Sequence, residues 1–512
     1  MSVCRFKLIV GAALVLLAPL VVADEALLRA AKRQDFDTVM ALVESGVNIN
    51  SPSADGTTLL HWAVFHENYA MVELLIRREA NVNSRNEYGA SPVSEAAAVG
   101  NTRMLKLLLD AGADVESENQ EGQTALMSVA RTGNTEAASL LISLGADPNA
   151  VEGWGGQTAL MWAAARRHPG MVRLLVDNGA IVDKRAVTRD WERRVTAEPR
   201  VKEMLSGGFT PLLFAVREDC LECVKILLEA GADKTLPDPD NVSPLILALI
   251  NMRFDIAKYL IEAGADVNQW DYYGRTPLYA VADTNIVPAG TRDDLPPVQN
   301  STGIEIAAML LERGANPDLR LKLAPPPRNI VFDRAHDNPF LTTGSTPLQR
   351  AAYSADLEMM ELLLTNGADV QLANINGFTP ILALLNPGGT RNRGKNQSTI
   401  IRALEMLVSA GASLSDKGAS YDFTNAAGFN EKGGYSGESP LHLAVRLNWL
   451  DVVQALVAMG ADLAATDDRG FSPVDYAAGK AELMTEGNFG LLGELPQMSA
   501  LLNDLIASSS VR

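Results

Sequence analysis

Apolar residues in this chain fall in paired short blocks. A block of seven such as TPLLFAV (210–216) is followed, after a polar reversal, by a second block such as CVKILL (223–228), with its apolar residues three and four apart. That spacing puts them on one face of a helix. Thr210 before Pro211 reads as an N-cap followed by the first helical position, where proline is tolerated because its missing N–H is not needed. Gly231 reads as a helix stop in left-handed conformation. The stretch 208–233 therefore predicts a turn, a helix, a tight reversal, a second helix and a glycine stop, and the fold class is all-α.

Variants of this text recur along the chain. Turn glycines stand at Gly56, Gly89 and Gly122, spaced by 33 residues, with Gly156 a further 34 on. Gly208, Asn241 and Gly274 resume the 33 spacing, as do Gly344 with Gly377 and Gly437 with Gly470. Two residues after each comes Thr or Ser, as in TLLHWAV (58–64), TALMWAA (158–164), TPLQRAA (346–352) and SPLHLAV (439–445). Leu-Leu pairs centre the second helices, for example Leu107-Leu108 and Leu362-Leu363. One such unit cannot bury its apolar face alone, whereas stacked neighbours can, which gives a solenoid. A 33-residue period carrying this text resembles the ankyrin repeat. The resemblance covers nearly all of residues 25–480 and implies about ten full repeats between two degenerate caps, with a last capping helix and tail over 481–512.

The period breaks in three regions, with added text near 184–204, at 284–303 with 318–343, and at 386–399 with 414–436. Such additions are expected as loops on one face, serving either binding or nothing beyond tolerated drift. The first carries seven Lys/Arg between Lys184 and Met204. Its Trp191-Glu192-Arg193 and Glu198-Pro199-Arg200, ahead of GFTPLL, are similar to text in a group of exported bacterial ankyrin proteins.

Charge and the N-terminus add an address. Arg5 and Lys7 precede an apolar run over 8–17, and Val21-Val22-Ala23 precedes Asp24, the pattern of a secretory signal peptide over 1–23. The net charge of −18 becomes −20 once those two cations are removed. So acidic a surface repels phosphate backbones, which argues against nucleic-acid partners. No later run is apolar enough to span a bilayer. An exported protein, periplasmic or secreted, monomeric, with no cofactor or metal, is the expectation.

Candidate chemistry is sparse. His61 and His442 sit where the ankyrin pattern uses imidazole to tie neighbouring turns, and His66, His168 and His336 lack metal-ligand spacing. Gly389 to Lys395 has phosphate-loop spacing, but Asn396 stands where a Ser or Thr is needed and no strand precedes it. Three sequons, at Asn241, Asn300 and Asn396, read as chance. Cys220 and Cys223 are three apart at the start of a second helix, a separation of about 5 Å between Cα atoms by helix geometry. That fits buried thiols or a local disulfide, with a redox role as the third option.

Repeat phase places large side chains at turn tips and on the outer side of the first helices. These are Tyr88, Trp154, Phe209 and Arg217, and above all Trp270, Tyr272, Tyr273 and Arg275; Phe65, His66, Tyr353, Phe378, Tyr435 and Phe471 share the phase. Trp, Tyr and Arg are the usual anchors of protein interfaces. The expected function is a non-catalytic scaffold that binds another protein through these positions. A thiol–disulfide protein using Cys220 and Cys223, or an inhibitor or stabiliser of an exported enzyme, are the alternatives.

Overall fold

The computed structural model describes residues 24–191, 204–285, 299–323, 340–385, 396–419, 421–424, 430–435, 437–481 and 494–509. They form two compact units. The first comprises the described residues up to Arg189 together with Gly207–Asp233; the second comprises those of 190–206 and those from Lys234 onward.

Each unit is a stack of helix pairs. In the first, a helix over 24–32 with Phe36–Glu44 opens the stack; Leu59–Phe65 with Tyr69–Arg77, Pro92–Ala98 with Thr102–Asp110, and Ala125–Thr132 with Thr135–Ser143 come next. Ala159–Ala165 with Pro169–Asp177 and Pro211–Arg217 with Leu221–Glu229 complete it. The second unit runs from Pro244–Ile250 with Phe254–Glu262 to Pro473–Ala477 with Pro496–Ser509. First helices are buried over most of their surface, as Leu212, Leu213, Ala215 and Val216 show; second helices bury one stripe, such as Met104, Leu105 and Leu108. Removing one such leucine costs about 2–5 kcal/mol, because its cavity is lined by the next repeat as well as its own.

The sequence signals act as expected. Thr124, Thr158, Thr210 and Thr276 each accept the backbone N–H three residues on. His61 does more. Its Nδ1 accepts from Thr58 N–H at 3.1 Å while Nε2 reaches the Ala90 carbonyl of the next repeat at 3.1 Å. His442 repeats this with Ser439 and the Phe471 carbonyl, and burial lowers the pKa of both rings. Gln349 fills the same role between Thr346 and Phe378.

Two further ladders join successive repeats. At the tips, Glu87 N–H donates to the Asp55 carbonyl at 2.8 Å, Gly153 N–H to Glu121 at 2.7 Å, and Tyr272 N–H to Asp240 at 2.8 Å. Beyond the second helices, Asn83 accepts from Asp114 N–H at 2.8 Å and donates to the Gly112 carbonyl at 3.2 Å; Asn149 and Asn268 do the same one repeat on from themselves.

The helical solenoid is as expected, and two of the additions, expected as loops, carry short strands. Thr188–Trp191 and Met204–Gly207 form one two-stranded sheet, and Tyr421–Thr424 pairs antiparallel with Asn430–Tyr435 in another. Extended backbone finds ladder partners there instead of remaining loop. The addition at 386–399 partly lengthens a helix, since Gln397–Ser409 has 13 residues where second helices usually have 9. The 1–23 segment, the WER…EPR text beyond Trp191, His336 and Gly389 to Lys395 lie outside the described residues.

Six of the described tips are held by an Asn or Asp three before the left-handed residue. Asn86, Asn119, Asp238, Asp271, Asn374 and Asp467 each accept the N–H groups two and four residues on, at 2.8–3.1 Å. Burial raises the Asp238 carboxyl to about 6, against the pull of its Val242 hydrogen bond, and Asp240 and Asp271 add repulsion. Asn241 supplies the left-handed residue that glycine supplies elsewhere, with φ of 60°.

Two predictions follow from the turns. Gly89 has φ of +70° and a Cβ there would lie 2.3 Å from Gln120 N in the adjoining tip, whereas Gly112, at φ +87°, faces open space. Gly112→Ala should cost roughly 1 kcal/mol of backbone strain, and Gly89→Ala clearly more, about 3 kcal/mol; urea unfolding of both variants measures the difference. A raised Asp238 pKa contributes stability that is complete below the unfolded value and lost as pH rises through about 6. Asp238→Asn keeps the acceptor, so it should stabilise by roughly 1 kcal/mol near neutral pH and by nothing near pH 4, read from the same unfolding curves.

Candidate interaction surface

Neighbouring residues within a tip differ sharply in exposure, and this sorts the aromatic residues. In the Trp270–Arg275 turn, Trp270 is 44% exposed and Tyr272 56%, while Tyr273 is 3% and Arg275 8% exposed. The expectation that all four form a contact surface is corrected for Tyr273 and Arg275. Arg275 Nε lies 2.7 Å from Asp271 Oδ2, and Asp271 is fully buried, so the guanidinium neutralises the tip anchor. Tyr273 folds beneath the tip, where burial pushes its hydroxyl pKa up to about 12, and its carbonyl accepts the N–H groups of Lys322 and Leu323. Exposed Lys322 lies with Nζ 3.0 Å from the Trp270 ring centroid.

In the first unit Tyr88 is 66% and Trp154 61% exposed. A groove of about 480 Å³ is lined by Glu118–Gly122 together with Gly153 and Trp154. Phe209 is half-buried, packed edge-on to Phe214 at 5.5 Å, with the Arg217 guanidinium 5.4 Å from its ring. Arg217 itself is exposed and also pairs with Glu218 at 2.7 Å. Phe65 is exposed and stands edge-on to Trp62 at 5.9 Å, and His66 stacks on Trp62 at 5.8 Å. Phe378 departs from expectation: it is buried, 4.5 Å from Phe340. Tyr353 and Phe471 are half-buried, and the Tyr435 side chain lies outside the described set.

A feature of the first helices was not read from the sequence. Lys32 Nζ lies 5.6 Å from the Trp62 ring and the Arg131 guanidinium 5.8 Å from the Trp162 ring, in each case a cation of one repeat over an indole of the next. The signal was present in WAV and WAA, where repeat phase puts a tryptophan four residues after the cap.

Cys220 and Cys223 form a disulfide, with Cα atoms 5.2 Å apart. Cys220 takes the cap position that Asn68, Asn101 and Asn134 take elsewhere, and Cys223 the inward position of Met71 and Met104. Cys223 is fully buried, so an attacking thiolate has no path to its sulfur without local opening. Among the described residues no group of His, Cys, Asp and Glu converges to hold a metal ion, and no helix is long and apolar enough to cross a membrane. Asn300 and Asn396 serve locally, Asn300 on Asp255 and Asn396 as a helix cap.

Known families match the same register. Residues 93–186 and 212–320 match ankyrin repeats (3 copies), residues 27–76 ankyrin repeats (many copies), and residues 343–375 and 436–468 the single ankyrin repeat. Human palmitoyltransferase ZDHHC13 is 33% identical over 230 residues, 44% of this chain and 28% of that protein. The mouse palmitoyltransferase ZDHHC13 is 31% identical over 224 residues, 43% of this chain and 27% of its own length. The putative ankyrin repeat protein FPV022 of fowlpox virus (strain NVSL) is 32% identical over 104 residues, 18% of each chain. The chain spans little more than a quarter of the length of the palmitoyltransferases it matches. Helix pairs, tip ladders and histidine ties thus coincide with repeat profiles over more than half of the sequence, and the chain belongs to the ankyrin-repeat family.

Proposed function

We propose that this protein is an exported, non-catalytic scaffold that binds another protein through its turn tips and the outer faces of its first helices. The observation that carries the reading is the exposure of Tyr88, Trp154, Trp270 and Tyr272 at tips whose backbone is already satisfied by the neighbouring repeat. Large aromatic side chains carried on turns lose little entropy on binding. Ankyrin repeats are a protein-binding fold, which supports the same class of function. Export is supported by the basic start, apolar run and small residues before Asp24, and by a disulfide, which persists in oxidising compartments.

The double variants Tyr88→Ala/Trp154→Ala and Trp270→Ala/Tyr272→Ala should keep the wild-type melting temperature. At least one should reduce crosslinked capture of the partner from the exported fraction by about tenfold, the loss typical of an anchor residue. Undiminished capture by both would remove the tips from the interface. Cys220→Ser/Cys223→Ser should lower stability by about 2 kcal/mol, the loop-closure term of a short disulfide, and leave capture intact. A loss of capture without a loss of folding would instead favour thiol chemistry.

A further inference from the structure

Among the described tips, three are anchored by a buried carboxylate: Glu152, Asp271 and Asp467. Asp271 and Asp467 each have a cation of their own, with Arg275 Nε at 2.7 Å and Arg469 Nη2 at 2.8 Å. Glu152 is different. It accepts the N–H groups of Trp154, Gly155 and Gln157 at 2.5, 2.6 and 3.0 Å, and among the described residues no cation pairs with it. The two preceding tips are anchored by Asn86 and Asn119, whose amides leave no charge to balance. Backbone dipoles satisfy the Glu152 oxygens but do not cancel the charge of a carboxylate.

The Glu152 tip also helps to line the open groove of about 480 Å³, through Gly153 and exposed Trp154. Glu118 and Glu121 line the same groove, are exposed, and pair with no cation among the described residues. The tip segments 117–123 and 150–157 contain no Lys or Arg. Exposed Tyr88 flanks them, since its carbonyl accepts the Gln120 N–H at 3.4 Å. The second unit shows what a tip indole can hold. Lys322 N–H donates to the Tyr273 carbonyl at 2.8 Å, and its Nζ lies 3.0 Å from the Trp270 ring centroid, so a lysine in a short run, Leu321-Lys322-Leu323, pairs with the tip backbone and seats its ammonium on the ring. In the Trp154 tip the corresponding backbone contact, to the Gly155 carbonyl at 2.7 Å, comes from Val187, which brings no charge.

We infer that this groove is the docking site for a basic segment of the partner protein. A Lys or Arg of that segment would seat its cation on the Trp154 ring and lie against Glu118 and Glu121. An indole face attracts a cation through its quadrupole, and nearby carboxylates reinforce the attraction. Charge complementarity decides the sign of the partner: an acidic segment would meet Glu118, Glu121 and the field of a protein whose formal net charge is −18. That same field draws a basic partner in and raises its association rate. This inference rests on the protein-binding reading above and specifies the partner's chemistry.

The test uses the full chain and a random dodecapeptide library displayed on phage. Peptides enriched on the wild-type protein should be rich in Lys and Arg, and their affinity, read by fluorescence anisotropy, should fall as salt is raised. Trp154→Ala and Glu118→Gln/Glu121→Gln should each weaken them by about tenfold with the melting temperature unchanged. The control Glu358→Gln/Glu405→Gln removes the same two charges from exposed second-helix positions and should leave affinity as it is. That contrast separates a site from general attraction to an acidic protein. Enrichment of neutral or acidic peptides, no enrichment, or basic peptides weakened no more by the groove variants than by the control would each overturn the inference. Those results would leave the scaffold reading standing, because capture of the natural partner by the tip variants is measured separately.

Discussion

No helix pair among the described residues stands alone; each packs against another. The inward stripes of Met104, Leu105 and Leu108, or of Val224 and Leu227, are covered only because another pair lies against them. Everything else in the structure serves that stacking. The tip ladder, the histidine tie from His61 to Ala90 and the asparagine clasp from Asn83 to Gly112 and Asp114 all run from one repeat to the next. Polar groups that a solitary pair would leave to water find partners across the repeat boundary, so apolar burial and hydrogen bonding become complete together.

That dependence frees part of the surface. A tip needs only its backbone, its anchor and a left-handed residue; the side chains between are unconstrained. Asp271 and Arg275 show the buried positions, Trp270 and Tyr272 the exposed ones. The buried Cys220–Cys223 pair falls on the constrained side, doing the work of a cap and a core residue.

The register was legible because glycine at a positive φ, a Thr-Pro cap and a Leu-Leu centre each have a single strong physical cause. They fix where helices begin and end. Side-chain direction inside a turn has no such mark: Tyr272 and Tyr273 are adjacent and chemically identical, yet one faces water and the other the repeat below. The Asp three before Gly274 would have settled it, since its two accepted N–H groups set the turn's orientation. Phe378 misleads for a related reason, because its burial depends on Phe340, within the added text rather than the repeat. The strands of the additions carry no alternating pattern strong enough to be read. Whether Cys220 and Cys223 would be joined was open, because their spacing suits thiols and a disulfide alike.

The tip ladder has a metric consequence. Helices in neighbouring layers pack at about 8–10 Å, so side chains at corresponding tips recur at about that interval. An extended chain advances about 3.3 Å per residue, and one repeat therefore spans roughly three residues of anything laid along it. Tyr88 and Trp154 stand two repeats apart on a rigid backbone. On the proposed function they would stand about six residues apart along a bound strand, so the spacing of repeats would select a partner by length as well as by composition.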